Sequence, residues 1–289
     1  MQILITGATG FTGKALMPML EEAGYGIVNI VRQDRGYTNQ ILWNFTDDLP
    51  ESIPECQVII HLAANVDFQN SLNILQYNVN TVSTAKLAAY ASKTGAYFIF
   101  ASTVGVHGTK PTVFDGTTPI NPDSNYAMSK YLAEVVTKTF TTQYTILRIG
   151  GIYGLGGPVH LGLNSSITNA YYNNEKPTIK GNGKARRNYI CVCDVVQWIL
   201  YLLKRYEENK ASVPLKEILY LAGPEVMTIE EYLKEVDNVL LDGSDIHRMD
   251  GPEGKDMVIK YNSYPFRPTT FRQYLKSIKQ FRSANTGNA

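Results

Sequence analysis

The segment QILITGATGFTGKALMPML, at residues 2–20, constrains the fold more than any other part of the chain. A short apolar run at 2–6 ends in glycine and reads as a buried strand, while residues 13–23 carry apolar groups at helical intervals. Gly7, Gly10 and Gly13 therefore fall in a strand-to-helix turn. Without a Cβ, each lets backbone approach a neighbour or a ligand closely, and the free N–H groups at a helix start suit a pyrophosphate. An ordinary glycine turn could carry the same triplet. A second strand expected at 27–31 completes a βαβ unit, and that context makes the turn a dinucleotide site.

Apolar runs alternate with helical patterns through the first half: strands at 27–31, 57–63, 96–101 and 144–149, helices at 13–23, 72–93 and 125–141. This order predicts an α/β fold with a parallel sheet between helices and a ligand beyond the carboxyl ends of the strands. After residue 150, glycine and proline thicken in GGIYGLGGPVHLG and KPTIKGNGKARRNYI, where a smaller, less regular region is expected. The helix DVVQWILYLLKRY and the strand EILYLAG return to the sheet, and Thr228 to Glu231 form a capping-box signal for another helix. The closing SANTGNA reads as frayed.

The chain has 289 residues, 44% of them hydrophobic, and a net charge of +1, the composition of a soluble globular protein. With no basic excess or charge block, nucleic acid and membrane are not expected partners. No apolar stretch approaches a bilayer's thickness and no leader precedes the first strand, so a cytoplasmic location is expected. Cys191 and Cys193 lie two apart in an expected strand and would share one face; with Cys56 they are too few for a disulfide framework. His61, His107, His160 and His247 lack metal-ligand spacing, and no metal is assigned.

In NYAMSKYLAEVV, Tyr126 and Lys130 stand four apart at a helix start, hence on one face. An ammonium beside a phenol favours the ionised form and makes the tyrosine a usable proton donor and acceptor. Upstream, Ser102 and Thr103 close the strand of FIFASTVGVHG, and both can hydrogen-bond a carbonyl oxygen.

These residues bring out a resemblance. TGATGFTG at 6–13, VIIHLAA at 58–64, Asn80 in NVNTVST, ASTVGVHG at 101–108, YAMSK at 126–130, LRIGGIYG at 147–154, GNGKARRNYICVCD at 181–194 and the late FRPTT span nearly the whole chain. They resemble the extended short-chain dehydrogenases/reductases, also called the NAD-dependent epimerase/dehydratase family. The resemblance implies a Rossmann doubly wound parallel sheet (1–155 and 187–223) and a small C-terminal substrate-binding region (156–186 and 224–289). It also implies roles. Thr103 hydrogen-bonds the substrate oxygen, with Ser102 as the alternative if the strand register slips by one; Tyr126 exchanges a proton with that oxygen, and Lys130 holds the nicotinamide ribose and lowers the phenol's pKa. Thr9, Phe11 and Thr12 join the three glycines around the cofactor, Ala63 and Ala64 line it, Asn80 supports the site, and Ser102 adjoins it. Arg187 matches the family's diphosphate-binding arginine, whose planar fork suits phosphate oxygens.

Departures narrow the reading. Val104 and Gly105 replace the Asp-Glu pair of the family's dehydratases; His107 stands for a tyrosine, Asn188 for an aspartate and Ser83 for a glycine. At the end of the second strand, Val31 and Arg32 replace the acidic residue usual for NAD, which predicts NADP(H) over NAD(H). The expected activity is NADPH-dependent reduction of a nucleotide-bound 4-keto-6-deoxy sugar. The alternatives are a nucleotide-sugar 4-epimerase, a reductase of small carbonyl substrates and a non-catalytic dinucleotide sensor. A homodimer through the helices after 72 and around Tyr126 is also expected.

Overall fold

The computed structural model describes residues 1–68, 71–208, 215–243 and 246–286. In chain order the first elements are β1 (Gln2–Thr6), α1 (Phe11–Glu22), β2 (Gly26–Val31), β3 (Gln40–Leu42), β4 (Val58–His61) and α2 (Ile74–Tyr77). Then come α3 (Ser83–Thr94), β5 (Tyr97–Thr103), β6 (Val113–Phe114), α4 (Asn125–Phe140), β7 (Tyr144–Ile149), β8 (Ile152–Tyr153) and α5 (Gly162–Asn173). The remainder is β9 (Thr178–Lys180), β10 (Arg186–Arg187), β11 (Ile190–Cys191), α6 (Val192–Glu208), β12 (Lys216–Leu221), β13 (Met227–Thr228), α7 (Ile229–Leu240), β14 (His247–Met249), β15 (Val258–Ile259) and α8 (Phe271–Thr286). No described helix is long and apolar enough to cross a membrane. Of the closing residues expected to fray, 283–286 continue α8 and 287–289 lie outside the described residues.

The chain divides into two units, the first made of 1–110, 118–149 and 196–220, the second of 111–117, 150–195 and 221–289. The expected division differs in that it assigned 111–117, 150–155, 187–195 and 221–223 to the first part.

In the first unit a seven-stranded sheet runs β3-β2-β1-β4-β5-β7-β12. The pairs from β3 to β7 are parallel. Strands covered on both faces read as continuous apolar runs, and all of Val58–His61 is buried. The order reverses between β1 and β4, the switch point at which such sheets bind ligands. Leu4, Ile59, Phe98, Phe100 and Ile146 form the middle of the core, with Leu87 and Ala91 of α3 packed on them.

Two features differ from expectation. The edge strand β3 arises from only three residues and has no readable period. The helix expected over 72–93 contains a π turn at Asn78–Val82 between α2 and α3. Side chains bond to carbonyls of the widened turn: Ser83 Oγ donates to Val79 O (2.5 Å) and Thr84 Oγ1 to Asn80 O (2.6 Å). The hydroxyl thus explains the serine at 83.

In the second unit β8 pairs with β11, β9 with β14 and β6 with β15 in parallel, and β10 with β13 antiparallel. Tyr153, Ile167, Ile179, Tyr232, Val236 and Leu275 centre its core. The capping box at Thr228 and Glu231 is complete, with Glu231 N donating to Thr228 Oγ1 (3.1 Å) and Thr228 N to Glu231 Oε2 (2.7 Å). Asn188 donates from Nδ2 to Ile259 O (2.8 Å) and accepts from Ile259 N at Oδ1 (3.0 Å). An amide does both, whereas an ionised carboxylate can only accept, which accounts for asparagine where an aspartate was expected. The shared strand face expected for the cysteines does not exist: Cys191 ends β11 and is buried, whereas Cys193 is exposed in the first turn of α6, where the backbone changes period.

Candidate active site

The glycine turn follows β1. Gly7 has φ +80°, and a Cβ there would meet Ala63 N at 2.6 Å; one on Gly13 would meet Gly7 O at 2.1 Å and Ala8 Cα at 2.6 Å. The first brings the turn against the segment after β4, and the second lets α1 close on the turn. Gly10, the N-cap of α1, has no side chain to cap the N–H groups of the first turn, which suits that helix start to an anion.

Beside this turn lies a cavity of about 340 Å³. Gly7, Thr9, Gly10, Ala63, Ala64 and Arg32, all expected at the cofactor, line it. Phe11, Thr12 and Gly13 open α1 and are not among the lining residues. Sequence reasoning missed Ile30, Phe45, Asn65, Val66 and Val79, which complete the wall. The one available signal for Phe45 was its apolar neighbourhood in ILWNF. A concave apolar wall ending in backbone amides and an exposed arginine fits a dinucleotide.

Asn80 lies behind the wall, fully buried in the π turn. Its Oδ1 accepts from Asn65 N (2.7 Å), and its Nδ2 donates to Asn65 O and to Ser129 Oγ (both 2.9 Å). Ser129 Oγ in turn donates to Tyr126 O (2.8 Å). One side chain thus ties the loop after β4 to the first turn of α4. Gln76 adds donors to Asn65 O (3.3 Å) and Asp67 O (2.9 Å). His61 is a satisfied structural residue, between Thr6 Oγ1 (2.6 Å) and Thr84 Oγ1 (2.9 Å); burial, aided by the Lys130 charge, pushes its pKa down to about 3.

Ser124 caps α4 by accepting from Ala127 N (3.1 Å), which fixes Tyr126 in the first turn. Phe68, another residue missed from sequence, meets the Tyr126 ring edge-on with centroids 5.4 Å apart. Lys130 is buried four residues on, its Nζ 4.1 Å from the centroid of the Phe100 ring. The expected lowering of the Tyr126 pKa is opposed by burial, which pushes the phenol up to about 12 and Lys130 down to about 7. Desolvation of both groups outweighs the charge of one on the other.

Thr103 ends β5, where its Oγ1 accepts from Gly105 N (3.1 Å) and leaves the hydroxyl proton for another oxygen. Gly105 approaches both Thr103 and Ala127, so the strand end packs at the first turn of α4. Ser102 points elsewhere, donating to the buried Glu134 Oε1 (2.6 Å). Val104 and Gly105 begin a 3-10 turn ending at His107. Arg187 belongs to the second unit, where its Nη1 donates to Arg186 O (2.8 Å) and Lys255 O.

A parallel sheet whose order reverses at a glycine turn, with a cavity on that turn and a Tyr-Lys helix start in the same unit, defines a dinucleotide-binding α/β oxidoreductase. The family model described as the NAD dependent epimerase/dehydratase family matches residues 3–215, and the chain belongs to that family. It is an enzyme of the extended short-chain dehydrogenase/reductase type with a nicotinamide dinucleotide cofactor. Among its relatives, GDP-6-deoxy-D-talose 4-dehydrogenase of Aggregatibacter actinomycetemcomitans is 27% identical over 98% of both chains. UDP-glucose 4-epimerase of Mycolicibacterium smegmatis is 28% identical over 68% of this chain and 71% of its own. The structure of UDP-glucuronic acid 4-epimerase from Bacillus cereus in complex with NAD has the same fold, with TM-score 0.80, 20% identity and coverage of 98% and 96%.

Proposed function

We propose that the chain is an NADPH-dependent reductase of a nucleotide-bound 4-keto-6-deoxy sugar. The observation that carries this reading is the end of the cavity at β2, where the uncharged Val31 and the cationic Arg32 form the wall. An acidic residue there would hold ribose hydroxyls and repel a 2′-phosphate; an arginine favours the phosphate. The relative similar over the whole chain acts, by its name, at position 4 of a nucleotide-bound 6-deoxy sugar, which supports the same substrate class.

A bound nicotinamide supplies the hydride for C4. Tyr126, protonated at neutral pH because burial holds its pKa near 12, gives its proton to O4 and recovers one from water. The Thr103 hydroxyl orients that oxygen, and Lys130 holds the ribose and stabilises the phenolate left behind. Phe68 excludes water from one side of the phenol. Arg187 is assigned to the diphosphate, since a planar guanidinium fork suits phosphate oxygens. The exposed apolar residues Val82, Leu132 and Phe140, on the π turn and α4, support a homodimer.

The test is to identify any nucleotide retained on purification and then assay NADPH oxidation with nucleotide-linked 4-keto-6-deoxy sugars. Tighter binding of NADPH than NADH is expected, with the preference lost in Arg32→Ala. The second reading, a 4-epimerase, draws on the epimerases among the relatives. Retained NAD with hexose epimerisation and no net NADPH consumption would establish it instead.

A further inference from the structure

Glu134 lies one helical turn beyond Lys130 on α4 and is completely buried. Arg148 of β7 donates to it twice, Nε to Oε1 (3.0 Å) and Nη2 to Oε2 (2.7 Å), and Ser102 of β5 donates to Oε1 (2.6 Å). The remaining Arg148 nitrogen, Nη1, donates to the Tyr220 hydroxyl (2.5 Å). That hydroxyl lies 3.0 Å from His107 Nε2, whose other nitrogen, Nδ1, is 3.0 Å from Pro119 O. A carbonyl can only accept, so Nδ1 donates to it; Nε2 also faces Arg148 Nη1, which can only donate (3.4 Å), and burial pushes the ring's pKa down. The cluster joins β5, β7, β12 and α4 within the first unit. For stability alone, apolar residues would serve a buried site as well as an ion pair does.

We propose that Glu134, held in place by Arg148 and Ser102, is a positioning residue that keeps the buried ammonium of Lys130 charged. The inference rests on the reading of Lys130 as the cation beside phenol and ribose. Lys130 has almost no water to stabilise it, at 2% exposure, and its seat over Phe100 supplies only a ring face. The groups around it are Tyr126 and Glu134 on α4, the neutral His61 on β4 and, beyond the carboxylate, Arg148 on β7. Of these, Glu134 opposes the effect of burial on Lys130, whose pKa lies near 7 even so. Arg148 and Ser102 hold both oxygens of Glu134, so the carboxylate stays one turn away and does not collapse onto Lys130 and draw it from its seat.

In the full chain with 13C-labelled lysine, the Lys130 Cε resonance, assigned by its loss in Lys130→Met, is titrated from about pH 5 to about pH 11. Glu134→Gln should lower the midpoint by about one unit or more. Arg148→Met, which removes a cation and leaves the carboxylate, should not lower it. If Glu134→Gln does not fold, the double variant Glu134→Gln/Arg148→Met, which leaves no unpaired guanidinium behind, should show the same lowering. An unchanged midpoint in the Glu134 variants, or an equal fall in Arg148→Met, overturns the proposal. The alkaline limb of kcat/KM should follow the midpoint; a shifted midpoint with an unmoved limb would instead refute the role of Lys130 and leave the coupling standing.

Discussion

Tyr126 and Lys130 share a face of α4 by spacing, but their chemistry depends on burial. A phenol whose pKa burial raises to about 12 is a weaker acid than free tyrosine but is fully protonated at neutral pH, so it holds a proton that only a more basic alkoxide takes. In Tyr126→Phe the ring, its edge contact with Phe68 and the cap at Ser124 all remain, so hydride transfer should fall by about a hundredfold or more. Fluorescence titration should show NADPH still binding; unchanged turnover would mean the proton comes from elsewhere. Thr103→Ala should slow the same step, whereas Ser102→Ala should act chiefly on stability, since that hydroxyl is spent on Glu134. The Tyr-Lys pair was legible because both residues lie on one helix at a fixed interval. Phe68 and Glu134 were not, since their importance comes from partners 58 and 14 residues away that only the folded chain brings close.

Among the elements, the turn from β1 to α1 leaves the least room for change. A methyl on Gly13 would fall 2.1 Å from a backbone oxygen, and neither atom belongs to a flexible side chain. Gly13→Ala should therefore push α1 off the turn, destabilise the chain by about 1–3 kcal/mol and weaken cofactor binding, both measurable in one thermal-shift series with and without NADPH. An unchanged melting temperature would show that the turn can relax. The elements nearest this turn were the most legible, because a strand buried on both faces is a continuous apolar run and glycine marks its end. The π turn at Asn78–Val82 was hidden inside a helical pattern, since one extra residue in a turn barely disturbs the apolar period. β3, with three residues at a sheet edge, has too little pattern to read. The helix start at Val192 fell within a run that alternates like a strand, which is why Cys191 and Cys193 were placed on one face.

At the scale of the molecule, one prediction concerns acid. His61 is completely buried and its pKa is lowered from 6.5 to about 3, so the unfolded chain takes up a proton there that the folded chain refuses. Its stability contribution is whole above about pH 6.5 and is lost as pH falls toward 3, with a limiting slope of about 1.4 kcal/mol per pH unit. His107, lowered in the same direction by burial, adds to the loss. Urea unfolding at a series of pH values should show this slope, and His61→Gln should reduce it by one proton's worth; an unaltered slope would place the uptake elsewhere. A second prediction concerns assembly. Light scattering at micromolar concentration should give twice the 32.2 kDa of one chain, and a single-chain mass would remove the dimer. The loop behind the cofactor wall has a further consequence for the whole molecule. Asn80 and Gln76 grip the backbone of residues 65 and 67 with hydrogen bonds from within the chain, so that stretch surrenders its conformational freedom when the protein folds. A nucleotide arriving there meets a surface already set, and little of its binding energy is consumed in ordering that wall.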